Sequence, residues 1–371
     1  MDLTVLHLCS LTRRNGTVHL ASRLCRLQAA RGHRVLGGAR EGSKIFQWTA
    51  DANVTEVSGL ELRSGFFPLS LARDVHRIRR AIDEHGVDVV HAWQSAESYI
   101  GALAVVGTRA VLLRSRTITK PIRPHAARPL FQRVCRGTFS TCSRIEAALL
   151  AAGEPRERVF PLVEGVDTRR FWPDPAARAL RDELGIPRTA RVAANVGRLE
   201  TVKGQVHFIE ALAELPDDVH GLIAGEGRAR EALERRRAEL GLERRVHLLG
   251  VRADVPRVLA AADVYVLSSI GSEGSSRATL EALAAGLPVV CSDVGMLPDI
   301  VRPEHGILVP PGDAAALSAA LRVLLDDPTR LEECGRRARE FAERERSEAR
   351  MLESVDSVYR AVAARREHAA R

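Results

Sequence analysis

Only three lysines occur among the 55 basic residues of this 371-residue sequence, and aromatic side chains make up just 4% of it. The aromatic scarcity bears on function. Proteins that hold nucleic acids stack bases on aromatic platforms, and neither such platforms nor a recognised nucleic-acid motif is present. Long apolar runs are missing as well, none approaching the roughly 20 residues that a membrane span requires. The opening MDLTVLHLCS has no basic segment followed by a long apolar one, so it reads as a first strand and not a signal peptide. Cys9, Cys25, Cys135, Cys142, Cys291 and Cys334 form no CxxC pair and no cluster with histidine at metal-ligand spacing. Scattered thiols suit a reducing compartment, so a soluble cytoplasmic protein is expected. No DxD string occurs, which removes the usual carboxylate site for a metal bridging a diphosphate.

Charge is unevenly spread. Residues 1–170 carry 26 Lys and Arg against 15 Asp and Glu, whereas the remainder carries 29 against 32. A basic first half suits an anionic surface, such as phospholipid headgroups or a lipid-phosphate acceptor. An arginine-rich composition dressing solvated helices gives the same count.

The length fits two domains. Short apolar runs alternate with amphipathic stretches, the signature of βαβ units and parallel sheets. Strands are expected near 3–9, 34–39, 87–91, 109–114, 138–142 and 158–162, with a helix over 17–31. A second series falls near 190–196, 220–224, 246–249, 263–267, 288–291 and 306–309. Turn residues between Glu164 and Pro175 mark the linker. The expected division is 1–167, 168–345 and a final amphipathic helix over 346–371. Two doubly wound α/β domains joined in this way place a cleft between the carboxyl edges of their sheets.

Chemistry concentrates in the second half. Val196 to Gly204 reads VGRLETVKG, directly after a strand, so Arg198 and Lys203 flank the mouth of a sheet. Fixed cations beside free N–H groups at a helix start are what a pyrophosphate needs; a surface salt bridge is the plainer alternative. Lys203 stands out because lysine is so rare here. After the strand at 263–267, a Ser/Gly-rich loop leads into a helix that Ser275 or Ser276 would cap. Glu273 sits in that loop and Glu281 eight residues later. Taken alone, the two carboxylates read equally as a solvated helix face.

The strings VGRL-x3-KG, EG-x6-LEA-x-AAGLPVV-x-SDVG and GILVP-x-GD together resemble the retaining glycosyltransferases of family 4, which have the GT-B fold of two Rossmann-like domains. DVVHAW (88–93), RVFPLVEGVDTRRF (158–171) and AARGHRV (29–35) extend the resemblance over essentially the whole chain. The resemblance implies that Arg198 and Lys203 hold a donor diphosphate, Glu273 faces the sugar hydroxyls and Glu281 the nucleotide ribose. Gly274, Ser275 and Ser276 would bring backbone N–H groups to sugar and phosphate, with Gly225 and Glu226 in the turn beside the nucleotide. The final helix would cross back onto the first domain. In the first half the family's glycine-rich loop has become Asn15-Gly16, preceded by Arg13 and Arg14, and Gly16 still permits close backbone approach. Where the family carries His-x-His, this sequence has His91-Ala92-Trp93. His91 is the expected donor-touching group, and Trp93 either stacks on an acceptor or fills the cleft wall. Arg114, Arg116 and Lys120 form a basic loop that either orients an anionic acceptor or faces solvent.

These expectations amount to a metal-independent hexosyltransferase without cofactor. Its donor would be a UDP-sugar or, second, GDP-mannose, and its acceptor a glycan, a lipid-linked glycan or a small molecule. Peripheral contact with the inner face of an anionic membrane fits the basic first half; nucleic acid is not an expected partner. A nucleotide-sugar epimerase, a non-catalytic polyanion binder and an inactive transferase are the rival readings.

Overall fold

The computed structural model describes residues 2–12, 15–40, 43, 53–65, 67–119, 122, 128–174, 179–271 and 273–369. The chain divides into two compact units, one comprising residues 1–164 with 349–371 and the other residues 165–348.

The first unit runs β1 (Thr4–Cys9), α1 (Gly16–Ala30), β2 (Arg34–Arg40), β3 (Thr55–Leu60), α2 (Pro68–His85), β4 (Val89–Ala92), α3 (Ser95–Val105), β5 (Val111–Arg116), α4 (Arg128–Val134), β6 (Cys135–Ser140), α5 (Ser143–Ala151) and β7 (Val159–Pro161). Its seven strands pair in the order β3-β2-β1-β4-β5-β6-β7, with every pairing parallel. The central strands are apolar at nearly every position because helices cover both faces of a parallel sheet. On one face Val18, Leu20 and Leu24 of α1 pack with Val5, Val89 and Leu113; on the other, Ile78 and Ile82 of α2 pack with Leu6, Val90 and Leu112. Strand β3 was not expected. It is an edge strand with only Leu60 buried, so its sequence TEVSGL carries no apolar run.

The second unit continues with α6 (Ala179–Glu183), β8 (Arg191–Val196), α7 (Gln205–Ala213), β9 (Val219–Ala224), α8 (Arg230–Glu239), β10 (Val246–Gly250), α9 (Val255–Ala260), β11 (Val264–Leu267), α10 (Arg277–Ala284), β12 (Val289–Ser292), α11 (Leu297–Ile300), β13 (Gly306–Val309), α12 (Ala314–Leu325) and α13 (Pro328–Glu345). Six parallel strands pair in the order β10-β9-β8-β11-β12-β13. All six coincide with the expected apolar runs to within about two residues, a normal uncertainty for element ends. The strand order reverses direction between β8 and β11, and the loops leaving those two strands therefore flank a crevice.

The last helix, α14 (Glu348–Ala369), supplies Met351, Leu352, Val355, Tyr359 and Val362 to the α1 face of the first unit. A buried pair fixes it there. Leu3 N–H donates to His33 Nδ1 at 3.0 Å, so the proton on His33 sits at Nε2 and meets Asp356 Oδ2 at 3.0 Å.

Candidate functional site

In the second unit, the loops after β8 and β9 lie backbone against backbone. Gly197 N–H donates to Ala224 O at 3.0 Å and Leu199 N–H to Glu226 O at 2.9 Å. Only glycine satisfies this stacking at position 225, whose φ is 150° and where a Cβ would stand 1.8 Å from Gly197 O. Arg198 is thereby held at the rim with its side chain 66% exposed, its guanidinium 3.8 Å from Glu200. Glu226 turns instead to Arg230, 2.5 Å away.

Beyond Arg198 a short 3₁₀ turn, Thr201–Lys203, ends at Gly204 in the left-handed region with φ 61°. A Cβ there would lie 2.1 Å from Ser268 O, so the loops after β8 and β11 also touch. Ile270 N–H donates to Val202 O at 2.9 Å and fixes their register. This contact brings Lys203 Nζ to 2.5 Å from Glu273 Oε1, which also accepts from Ser269 Oγ at 2.5 Å. Glu273 is almost fully buried, whereas Lys203 reaches solvent.

Helix α10 starts at this loop. Ser276 occupies the N-cap position, but its hydroxyl bonds Thr279 Oγ1 at 2.9 Å and takes no backbone N–H. The preceding Gly274 is buried and Ser275 half-buried. Glu281, two turns into the helix, is buried with Oε1 3.2 Å from Arg277 Nε. Both carboxylates bear on Tyr265, whose phenol donates to Val196 O at 3.3 Å. Burial pushes that phenol well above its ordinary range, and the charges of Glu273 and Glu281 add to the effect. The two glutamates therefore belong to one neighbourhood, at the end of β8 and β11. One rim thus gathers two cations, two buried carboxylates and a helix start, an arrangement able to grip linked phosphates beside hydroxyl groups.

The first unit corrects several expectations. His91 is fully buried, with Nδ1 bonded to Tyr359 Oη and Nε2 2.7 Å from Ser115 Oγ. Burial holds its pKa well below the ordinary value, and His7 adds to this. A ring with both nitrogens committed inside the core does not touch a donor; His91 seats α14 instead. Trp93 is buried too, stacked on His91 at 4.6 Å with Nε1–H donating to His7 Nδ1 at 3.1 Å, so it offers no face to an acceptor. Arg114 is committed to Glu154 at 2.6 Å and Thr138 Oγ1 at 2.8 Å. Arg116 lines a polar recess with Gln94 and Thr117, whose volume of about 20 Å³ has room for one water and not for a sugar. Lys120, Arg13 and Arg14 lie outside the described residues. Gly16 opens α1, and Asn15 caps it by accepting Val18 N–H at 2.9 Å.

Glu97 escaped the sequence reading, although it is the single charge in the eleven residues of α3. It lies at the first unit's own reversal point, between β1 and β4. Ser10 N–H donates to Oε1 at 3.1 Å, while Oε2 is buried with no hydrogen-bond partner among the described residues. Burial raises its pKa to about 6 from 4.5. The native state therefore favours the protonated form, so stability from this group is complete below about pH 4.5 and is lost as pH rises through 6, a change of about 2 kcal/mol. Glu97→Gln is expected to lose this slope between pH 5 and 7.5 in urea unfolding, and an unchanged difference between the two pH values would contradict it.

Among known proteins, the family described as Glycosyl transferases group 1 matches residues 177–341. A GDP-mannose-dependent alpha-(1-6)-phosphatidylinositol monomannoside mannosyltransferase of Mycolicibacterium smegmatis is 32% identical over 291 residues, covering 72% of this chain and 74% of the relative. A 2-deoxystreptamine glucosyltransferase of Streptomyces kanamyceticus is 33% identical over 201 residues and 52% of each chain, so this chain spans about half the length of that relative. The structure of Anabaena Alr3699/HepE in complex with UDP-glucose superposes with a TM-score of 0.79 at 22% identity, covering 97% of this chain and all of the other. That likeness shows a shared fold, the paired parallel-sheet architecture called GT-B.

Proposed function

This chain belongs to the glycosyl transferases of group 1, and from that premise we propose that its second unit grips a nucleoside diphosphate sugar and that the enzyme moves the sugar, with retention of configuration, to an acceptor held by the first unit. The observation that carries the reading is the rim at the reversal point of the second sheet, where Lys203 meets Glu273 beside Arg198 and the start of α10. Arg198 and Lys203 neutralise the diphosphate as it departs, an electrostatic role that contributes several kcal/mol. Glu273 accepts from the sugar hydroxyls and Glu281 from the ribose, with Gly225, Gly274, Ser275 and Ser276 close enough in backbone for the donor to approach. The departing phosphate takes the acceptor's proton on the face it leaves, so no enzymic nucleophile is required. Buried thiols are unsuited to serve as one; burial pushes Cys291 up to about 12 and Cys9 likewise.

UDP-glucose in the Anabaena structure and GDP-mannose in the Mycolicibacterium relative support the two donor classes favoured here, UDP-sugar first. A thermal-unfolding panel of UDP-, GDP- and ADP-sugars discriminates them, since a ligand that binds only the native state raises the melting temperature by mass action; at 100 times its Kd it adds about 2.7 kcal/mol. One donor class is expected to shift the transition, and to do so equally in EDTA because Arg198 and Lys203 supply the charge. A panel with no shift removes the donor assignment, and a shift abolished by EDTA removes metal independence. Conversion of the donor sugar without any acceptor would instead favour an epimerase.

A further inference from the structure

The peptide group that follows Arg198 is held at both of its polar ends. Its N–H, on Leu199, donates to Glu226 O at 2.9 Å, and its carbonyl, on Arg198, accepts from Gln205 Nε2, also at 2.9 Å. The same carbonyl takes Glu200 N–H at 3.1 Å, which uses both of its lone pairs. A peptide bonded at one end can swivel about that bond. Bonded at N–H and at C=O, it is fixed as a plane, and the plane sets the direction in which the Arg198 side chain leaves the backbone. The side chain has little restraint of its own. It is 66% exposed, with its guanidinium 3.8 Å from Glu200, beyond hydrogen-bond length.

Gln205 is the first residue of α7, and Gly204 before it, at φ 61°, turns the chain so that the Gln205 side chain points back to the loop after β8. The side chain is buried, with the residue 2% exposed. A carbonyl oxygen cannot donate to Arg198 O, so the amide is oriented with Nε2 towards it. Oε1 is then buried with no hydrogen-bond partner among the described residues. An orphaned acceptor costs stability, so packing alone favours an apolar side chain of this length. The amide is explained by what its N–H holds. We propose that Gln205 is the positioning residue for Arg198: it touches no donor itself, and it fixes the backbone from which the guanidinium meets the diphosphate. The inference deepens the transferase reading and rests on it for what Arg198 grips.

UDP, GDP and ADP are titrated by calorimetry into the full chain, into Gln205→Met, into Arg198→Ala and into the double variant. Methionine matches glutamine in length and cannot donate. Gln205→Met is expected to weaken the nucleotide that binds by about tenfold when Arg198 is present, and by under about twofold when it is alanine. The melting temperature of the free Gln205→Met chain is expected to hold or rise, since the orphaned acceptor is gone and Arg198 O keeps Glu200 N–H. Gln205→Leu, which also lacks the donor, checks the same pattern independently. A merely structural role would weaken binding equally in both backgrounds and lower the melting temperature, and that result overturns the proposal. So does wild-type affinity in both Gln205 variants. Binding that falls in Arg198→Ala but not in the Gln205 variants removes only the role of Gln205. Absence of binding by the wild-type chain, or binding indifferent to Arg198→Ala, removes the diphosphate reading of Arg198 and this inference with it.

Discussion

Replacing Lys203 with alanine is expected to slow turnover of the donor by about 100- to 1,000-fold, the usual loss when one fixed charge is removed from a developing oxyanion. The measurement is donor hydrolysis with whichever nucleotide-sugar stabilises the protein. A simple rate loss would be ambiguous, because Lys203 is also the cation partner of the buried Glu273. Without it, that carboxylate keeps the Ser269 hydroxyl as its one partner among the described residues, at a cost of about 1–3 kcal/mol. Lys203→Ala combined with Glu273→Gln separates the two effects. The pair is expected to regain most of the stability and none of the rate. A wild-type rate in the single variant would take Lys203 out of the chemistry altogether.

The second large effect is expected at Gly225. Alanine there would set a methyl group 1.8 Å from Gly197 O with φ at 150°, so the two stacked loops have to part. The clash is with backbone, which cannot rotate away as a side chain does. Separation sacrifices the bonds from Gly197 N–H and Leu199 N–H and displaces Arg198. A loss of about 3 kcal/mol or more is expected in urea unfolding, together with loss of donor binding. Gly153→Ala provides the comparison. Its φ is 80° but nothing lies within 4 Å of the added carbon, so only the backbone preference of about 1 kcal/mol is lost. Equal effects at the two positions would mean that the loop stacking is unimportant.

The second unit was readable from sequence because its strands are buried on both faces and so appear as uninterrupted apolar runs, VHGLIA over 219–224 among them. Its glycines were readable for a related reason, since close backbone approach leaves no room for any other residue. The first unit hid more. Strand β3 at the sheet edge needs only one buried side chain and leaves no periodic trace. His91 misled because a histidine ending a strand at the carboxyl edge has the same local sequence whether it faces a ligand or the core. What decides it is Tyr359, 268 residues further along, and Ser115 on the neighbouring strand. Trp93 followed the same error through His7. Glu97 left a faint signal, a lone carboxylate in an otherwise uncharged helix, but its burial depends on Ser10 and the packing of α3 against β1.

Helix α14 has a consequence for biosynthesis. A ribosome releases the chain from its amino end, and domains ordinarily fold in the order in which they emerge. Here the α1 face of the first sheet is completed by Met351, Val355 and Tyr359, which are translated after the whole second unit. The nascent protein therefore carries a bare apolar surface, with His91 lacking its phenolic partner, until α14 has been translated. The first unit thus completes its core only after the second unit has been translated.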